Sequence, residues 1–376
     1  MNKIEISTVI YSGENALDRL SHFENHNVFI VADPFIIKSK MIELIEKQLK
    51  KGNNKWTSFS DILPDPPIEN VVAGVEEIAQ FEPDLIIAIG GGSAIDAAKA
   101  MKKFASRIYK YEDLPLIAIP TTSGTGSEVT SFSVITDSEK GIKYPLVSNS
   151  LLPEEAILDT NLVKTVPKQI TADTGLDTLT HAIEAYVAKN ANDFSDAFAE
   201  KAIHLVFENL VDAYNDGENA LAREKMHHAS TMAGIAFNIA GLGINHSIAH
   251  SCGAKFKISH GRLNAILMPS VIAFNAGIQG NTNIDLKPAA AKYAQLSRLL
   301  GLPATNNASG TRSLIKEIKR LKSNLNIEES FKEFHVEYTA SILEEIAQLS
   351  LQDSCTTTNP THTETENIIT ILRELM

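Results

Sequence analysis

Three short segments carry residues that suit the binding of a divalent metal. They are Asp177-Thr-Leu-Thr-His181, His246-Ser-Ile-Ala-His250 and Ser259-His260-Gly261. Residues four apart share one face of a helix, so Asp177 and His181 can point at the same atom, and so can His246 and His250. A carboxylate with several imidazoles is typical of a site for a divalent first-row metal. Beside a nucleotide, a metal that can hold an alcohol oxygen indicates hydride-transfer chemistry.

A simpler explanation exists for each part of this pattern. A polar helix face such as Asp177, His181 and Glu184 is more commonly solvated or locally paired, and a single histidine is more often a core or surface residue. Few charged residues surround Asp177, however, and three histidines follow one another closely at 246, 250 and 260. We therefore favour a metal site. Glu184 could join the metal, but a contact with a ligand or a salt bridge is the favoured role. The spacing leaves open which of the three histidines bind, and Cys252 is expected to be a small buried apolar residue.

The elements that position these segments change in character near Pro167. Before it, short apolar runs closed by turns predict buried parallel strands of an open α/β sheet, at Asn27–Ala32, Leu85–Ile89 and Leu116–Ile119. The next proline after Pro167 is Pro269, which favours long helices in between. The sequence thus predicts an α/β domain over residues 1–164 and an all-helical domain over residues 165–376.

A glycine turn follows the second of these runs. Leu85–Ile89 lead directly into Gly90-Gly91-Gly92-Ser93, and a helical pattern starts after it. Glycines let the backbone approach a pyrophosphate, and the free N–H groups of a helix start attract anions. Ile95 stands where the third glycine of the usual dinucleotide fingerprint would be, so a plain strand-to-helix turn remains the alternative.

Two further features follow predicted strands. The loop Pro120-Thr-Thr-Ser-Gly-Thr-Gly-Ser-Glu128 offers hydroxyl donors for phosphate or ribose oxygens, unless it is an ordinary surface loop. Asp33 follows Asn27–Ala32 and could accept hydrogen bonds from a ribose, which favours NAD over NADP; an Asp-Pro turn with Pro34 explains it equally well. Ligands of open α/β sheets bind at the carboxyl ends of the strands, where all of these residues fall.

Composition excludes several classes of function. The chain has 376 residues and a net charge of −12, from 34 basic and 46 acidic residues, so nucleic acid is not an expected partner. Its two cysteines, Cys252 and Cys355, favour a reducing compartment. No apolar run predicts a membrane span or a secretory signal, and we expect a cytoplasmic protein.

These residues together resemble the iron-dependent (group III) alcohol dehydrogenases, nearly end to end. The resemblance is carried by Gly90–Asp96, Thr121–Glu128, Gly175–Glu184 and the pattern His246-x3-His250-x9-His260-Gly261. Lys140–Leu146 and Asn192–Ala197 narrow it to members associated with propanediol-utilisation microcompartments. The resemblance implies a dehydroquinate synthase-like architecture, in which a Rossmann-like, mostly parallel α/β domain precedes an all-α domain.

The resemblance also assigns roles to individual residues. It implies Asp177, His181, His246 and His260 as metal ligands and His250 as a proton relay. The implied cofactor-binding residues are Asp33, Gly90, Gly91, Gly92, Ser93, Asp96, Thr121, Thr122, Thr125, Ser127 and Lys143. Arg262 departs from the family pattern, and we expect it to alter the rim of the site.

The implied activity is the NAD(H)-dependent interconversion of short-chain aldehydes and primary alcohols, with propionaldehyde and 1-propanol as the expected pair. The expected metal is Fe²⁺, with Zn²⁺ as a second possible occupant. The implied partners are a second copy of the chain in a homodimer or larger homo-oligomer, a coenzyme A-acylating aldehyde dehydrogenase and a microcompartment shell. Alternatives are a polyol or lactaldehyde-type dehydrogenase, a metal-dependent lyase on the same scaffold, and a non-catalytic partner of other proteins.

Overall fold

A computed structural model of the chain describes residues 4–109, 114–138, 142–278 and 284–376. Its contacts divide the chain into two units. The first comprises Met1–Val166 and Gly217–Gly234, and the second comprises Pro167–Asp216 and Ile235–Met376. The domain limits 1–164 and 165–376 stay a prediction. Of the Lys140–Leu146 segment, Lys140 and Gly141 lie outside the described residues.

The strands of the first unit form a parallel sheet and a separate antiparallel pair. In chain order they are β1 (Val9–Gly13), β2 (Asn27–Ala32), β3 (Lys55–Phe59), β4 (Leu85–Gly90), β5 (Leu116–Pro120), β6 (Phe132–Asp137), β7 (Ile142–Val147) and β8 (Glu155–Asp159). The sheet has the order β1-β8-β5-β4-β2-β3, and all of its neighbouring strands are parallel. β6 and β7 pair with each other. The predicted parallel sheet is confirmed, with the three predicted runs as β2, β4 and β5.

Four helices of the first unit cover both faces of this sheet. They are α1 (Pro34–Lys38), α2 (Ile42–Lys51), α3 (Ile68–Phe81) and α4 (Gly92–Tyr109). Along β4, Ile86 and Ala88 pack into one apolar cluster with α3 and α4, whereas Ile87 and Ile89 pack into another with α2. Successive side chains of a strand point to opposite faces, so a strand buried on both sides is apolar throughout. This is why β4 appears in the sequence as an uninterrupted apolar run.

The second unit is helical in all the regular elements that the structure describes. Its helices are α5 (Lys168–Val187), α6 (Asp193–Asn215), the end of α7 (Ala220–Ala240), α8 (Ile244–Phe256), α9 (His260–Ala276), α10 (Pro288–Leu299), α11 (Asn307–Asn324), α12 (Ala340–Gln352) and α13 (Thr365–Leu375). The predicted change from α/β to helical structure is therefore confirmed. Among the described helices, each is too short or too polar to span a bilayer.

Helix α5 is the central element of this unit. It begins directly after Pro167, and every residue from Gly175 to Val187 is buried. A helix that is buried all round cannot present a solvated polar face. Its polar residues Asp177, His181 and Glu184 must therefore find partners inside the protein.

Candidate metal centre and nucleotide-binding loops

Three helices bring the predicted metal ligands together. Asp177 and His181 lie four residues apart on α5, His246 is on α8, and His260 is the first residue of α9. One donor atom from each of Asp177, His181 and His246 lies within 4.8 Å of the others, and all three residues are buried. Nε2 of His260 lies 3.6 Å from Oδ1 of Asp177.

A glycine explains why His260 can approach α5 so closely. Gly261 packs against the backbone of Asp173, and a side chain at position 261 would overlap the carbonyl group there. Asp173 precedes Asp177 by one helical turn. The close packing of Gly261 therefore sets His260 beside Asp177 at the start of α9.

A second layer of polar side chains orients these donors. The Glu184 carboxylate accepts a hydrogen bond from Nδ1 of His246 at 2.6 Å and another from the backbone N–H of Asn245 at 2.7 Å. Nε2 of His246 is therefore left to face Asp177. Glu184 thus contacts a predicted ligand, which is one of the two roles that the sequence favours for it.

The amide nitrogen of Asn264 lies among the donor atoms. Nδ2 is 2.6 Å from Oδ1 of Asp177 and 3.1 Å from Nε2 of both His246 and His260. An amide has two hydrogens and cannot donate to three acceptors at once. The three donor atoms thus converge on a region that calls for positive charge, and this fits a divalent cation.

The pKa values of Asp177 and His246 also indicate a site for a cation. Burial alone would raise the pKa of Asp177, but the nearby His181 and His260 and the hydrogen bond to His246 outweigh it and hold that pKa far below its usual range. Burial opposes the charged form of His246, yet its hydrogen bonds to Asp177 and Glu184 prevail and raise its pKa to about 9. Surroundings that stabilise a proton so strongly also favour a metal cation.

His250 occupies a separate position at the edge of this centre. Its ring is stacked on that of His260, with 5.2 Å between the ring centroids. Nδ1 of His250 donates to Oδ2 of Asp353 at 2.8 Å, and the two side chains are 24% and 20% exposed. The bond to Asp353 fixes the tautomer of His250 and leaves Nε2 available to a partly solvated space.

The glycine turn of the first unit joins β4 to α4. Gly90 has a φ of +150°, and a Cβ there would lie 2.6 Å from Oδ2 of Asp33. A Cβ on Gly91, in contrast, would meet nothing closer than 3.6 Å. Asp33 accepts from the N–H groups of Ile36 and Gly91, so it caps α1 and supports the turn. Ser93 accepts from the backbone N–H of Asp65.

Two predicted cofactor residues support the hydroxyl-rich loop from within. Oδ1 of Asp96 accepts from the hydroxyl of Ser127 at 2.6 Å, and Oδ2 accepts from the N–H of Val134 at 2.9 Å. Both carboxylate oxygens are therefore engaged inside the protein. Ser127 also accepts from Nζ of the buried Lys99 at 3.0 Å. The structure thus places Asp96 and Ser127 against each other as part of the loop's scaffold.

The remaining predicted cofactor residues lie along the same two loops. Thr121 is buried, Thr122 lies beside Gly91, and Thr125 packs against Gly92. Nζ of Lys143, on β7, pairs with Asp65 at 2.6 Å. Because Asp65 also contacts Ser93, this ion pair links Lys143 to the glycine turn.

Arg262 is not a residue of the site rim, contrary to our expectation. Its side chain is 6% exposed, Nε donates to Asp173 at 2.6 Å, and Nη1 donates to Glu328 at 2.6 Å. The guanidinium is fully committed to these carboxylates. Cys252 is buried in an apolar cluster, as expected, and burial raises the pKa of its thiol.

Sequence reasoning missed three side chains that the structure places next to predicted ones. Asn264 contacts the metal-site donors, Asp353 orients His250, and His227 lies 3.0 Å from the hydroxyl of Ser123 in the loop after β5. Asn264 follows His260 by four residues and could have been found from helical spacing. The other two are about a hundred positions from their partners along the chain.

Comparison with known proteins covers both units. The family model described as Iron-containing alcohol dehydrogenase matches residues 7–160, and the one described as Fe-containing alcohol dehydrogenase family, C-terminal, matches residues 171–376. The chain is 44% identical over 382 residues to the 1-propanol dehydrogenase PduQ of Salmonella typhimurium, with 100% of each covered.

Solved structures agree in fold. An iron-containing alcohol dehydrogenase from Thermococcus thioreducens superposes with a TM-score of 0.90 at 33% identity, covering 99% of each chain. A sulfoacetaldehyde reductase from Bifidobacterium kashiwanohense, solved in complex with NAD⁺, gives a TM-score of 0.87 at 26% identity over 100% of this chain and 98% of its own.

Proposed function

Because the chain belongs to the iron-containing alcohol dehydrogenase family and is an enzyme of that family, we propose that it interconverts short-chain aldehydes and primary alcohols with NAD(H). The preferred pair in this proposal is propionaldehyde and 1-propanol, since the relative of Salmonella typhimurium that aligns over its full length is a 1-propanol dehydrogenase. The observation that carries the proposal is the convergence of one carboxylate and three imidazoles from α5, α8 and α9.

We assign the metal to Asp177, His181, His246 and His260, with Glu184 and Asn264 orienting them. When bound, the ion supplies Lewis acidity toward the alcohol or carbonyl oxygen, and NAD⁺ supplies the hydride acceptor. Four protein ligands must leave room for substrate, which suits an ion that accepts five or six ligands. Fe²⁺ is thus our first choice and Zn²⁺ the second.

We assign proton transfer to His250. Alcohol oxidation releases one proton in addition to the hydride, and Nε2 of His250 is free to accept it while Nδ1 remains bonded to Asp353. The Asp353 carboxylate stabilises the resulting imidazolium. In the reverse direction the same nitrogen returns the proton to the aldehyde oxygen.

We assign cofactor binding to the first unit. The backbone of Gly90–Ser93 and the start of α4 would hold the pyrophosphate, and Thr121, Thr122 and Thr125 would donate to its oxygens or to ribose. Asp33 would disfavour a 2′-phosphate, which supports NAD over NADP. Asp96, Ser127 and Lys143 support these loops through their internal contacts.

The alternatives on this scaffold lack a specific supporting contact. A lyase that binds a sugar phosphate needs basic side chains directed at its substrate, but Arg262 pairs with Asp173 and Glu328, and Lys255 pairs with Glu345 at 2.6 Å. A non-catalytic role does not explain why one carboxylate and three imidazoles converge on one point. We also propose a cytoplasmic location, with a homo-oligomer, a microcompartment shell and a coenzyme A-acylating aldehyde dehydrogenase as candidate partners.

The deciding experiment measures NADH consumption with propionaldehyde under anaerobic conditions, with and without added Fe²⁺. We expect activity that depends on the metal and a His181→Ala variant that has lost both metal and activity. His204→Ala changes an exposed histidine of α6 and should retain both. Metal bound without any turnover of short aldehydes or alcohols would overturn the proposed substrate class.

A further inference from the structure

A second cluster of metal-ligating side chains lies in the helical unit. One donor atom from each of His250, Asp353 and Cys355 lies within 4.8 Å of the others. We infer that these three residues form a second cation site, one that takes a thiophilic divalent ion such as Zn²⁺. Binding at this site does not depend on the proposed substrate.

The donor set distinguishes this cluster from the metal centre of Asp177, His181, His246 and His260, here called the Asp177 centre. An imidazole, a carboxylate and a thiolate are the ligands that Zn²⁺ takes in tetrahedral sites, with a fourth position left for water. The Asp177 centre contains nitrogen and oxygen donors only. Sulfur therefore gives the second cluster its own preference for softer ions.

The carboxylate of Asp353 is held in place for this role. Oδ1 accepts from the backbone N–H of Cys355 at 2.8 Å, which fixes the group at the start of a short helical turn. Oδ2 faces Nδ1 of His250 at 2.8 Å. All three side chains are partly exposed, so an ion can reach them from solvent.

Beside that backbone N–H, the side chains of the other two proposed ligands each direct a proton at this carboxylate. Nδ1 of His250 donates to it, and the thiol of Cys355 also hydrogen-bonds to it. Burial, reinforced by Asp353, raises the pKa of the Cys355 thiol well above its usual range. On binding, the thiol proton leaves to solvent and the imidazole proton moves to Nε2. The thiolate and carboxylate then balance the charge of the divalent ion.

Occupation of this site has a consequence for the activity. An ion on Nδ1 of His250 and on Asp353 removes the pair to which we assigned proton transfer, and leaves Nε2 protonated and unable to accept. Excess Zn²⁺ should therefore inhibit turnover without displacing the metal of the Asp177 centre. This consequence, unlike the binding itself, rests on the proposed function.

The test uses Co²⁺ as the probe, because a thiolate bound to Co²⁺ gives a charge-transfer absorption band that nitrogen and oxygen ligands do not. We titrate the metal-free full-length protein with Co²⁺ and expect two bound ions per chain, the weaker of which produces the band. Cys355→Ala should abolish the band and weaken the second site at least about tenfold, while the first site is retained. Cys355→Ser serves as a second variant if the alanine variant does not fold.

The other cysteine provides a matched control. Cys252 is fully buried in an apolar cluster, and Cys252→Ala should keep the band and both ions. The absence of the band in the wild type, or a band that survives in Cys355→Ala, would overturn the second site. In activity assays, Cys355→Ala should raise the Zn²⁺ concentration for half-inhibition at least about tenfold. An unchanged value alongside a lost band would refute the inhibition but not the binding.

Discussion

Nδ1 of His246 lies 2.6 Å from the carboxylate of Glu184, and this one contact determines which nitrogen of the ring faces Asp177. The contact is buried, with side chains 2% and 6% exposed. A ligand held by a buried carboxylate loses little freedom when it binds a metal. In the proposed site, Glu184 would thus act on the metal through His246.

Glu184→Gln should weaken metal affinity by about 10- to 100-fold, because the amide no longer fixes the charge and tautomer of His246. Isothermal titration with Zn²⁺ measures the change. His204 and Glu208 form an exposed pair of the same residue types at 3.2 Å, so Glu208→Gln is the matched control and should leave the affinity unaltered. Equal affinities for both variants would remove Glu184 from the site.

His250→Ala should lower kcat by about 10²- to 10⁴-fold, the range expected for loss of a general acid or base, while the metal stays bound. Steady-state kinetics and metal analysis of the same sample provide the measurement. Asp353→Asn should give a smaller loss of kcat because the ring keeps a hydrogen-bond partner. If the alanine variant is purified without metal, His250 is a ligand and our assignment is wrong.

Gly91→Ala should raise the KM for NADH about tenfold or more while leaving stability nearly unchanged. The added Cβ would be 3.6 Å from its nearest neighbour, so the fold accommodates it, but the methyl group would block the approach of a pyrophosphate to the backbone. Gly253→Ala also places its Cβ 3.6 Å from the nearest atom, on a helix of the other unit. That control should leave the KM for NADH at the wild-type value.

The unfolding free energy should respond to pH through His227. Burial, followed by the neighbouring His228, lowers its pKa from 6.5 to about 3. Below pH 6.5, His227 is therefore protonated in the unfolded chain but stays neutral in the folded chain. Acid thus favours unfolding. His227→Gln removes this effect. The free energy of unfolding of the variant should therefore rise, relative to that of the wild type, by about 1.4 kcal/mol per pH unit as the pH falls from 6 to 4.

Urea unfolding at several pH values measures this difference. His204→Gln, at an exposed histidine, should follow the wild-type pH dependence. If the free energies of unfolding of the wild type and of His227→Gln changed with pH in parallel, His227 would bind its proton equally well in the folded and the unfolded chain. That result would contradict the prediction.

Arg262→Met should lower the free energy of unfolding by about 3–5 kcal/mol, because the buried Asp173 and the partly exposed Glu328 are left without their partner. Arg320→Met breaks an exposed pair with Glu317 and should cost less than about 1 kcal/mol. Thermal unfolding compares the two. The KM for aldehyde should stay unchanged if the Arg262 variant is assayed below its unfolding temperature; a large change would return Arg262 to the site rim.

The sequence predicted the strands that have long, uninterrupted apolar runs. β2, β4 and β5 are buried on both faces, so their apolar runs mark them directly. β1 lies at the sheet edge and its exposed residues interrupt any such run, β3 is likewise mixed, and β8 has an apolar run of only three residues, Ala156–Leu158. These three strands of the sheet were therefore missed.

In the candidate site, the residues that the sequence revealed are those that lie close to one another along the chain. Asp177 and His181 share a helix, so their spacing revealed them. Asp353 and His227 contribute only through contacts with His250 and Ser123, far away in the chain, and no local pattern marks them. Arg262 was misplaced for the same reason, since Asp173 and Glu328 are remote in sequence.

The donors Asp177, His181, His246 and His260 belong to three helices, which are also joined by packing and by polar contacts such as those of Glu184 with His246 and of Arg262 with Asp173. In the proposed site, one ion bound to all of them would also be a cross-link, so metal supply would affect how long each molecule survives in the cell. A chain without metal would lose more than turnover, because α9 would then separate from α5 more often and expose its apolar side to proteases.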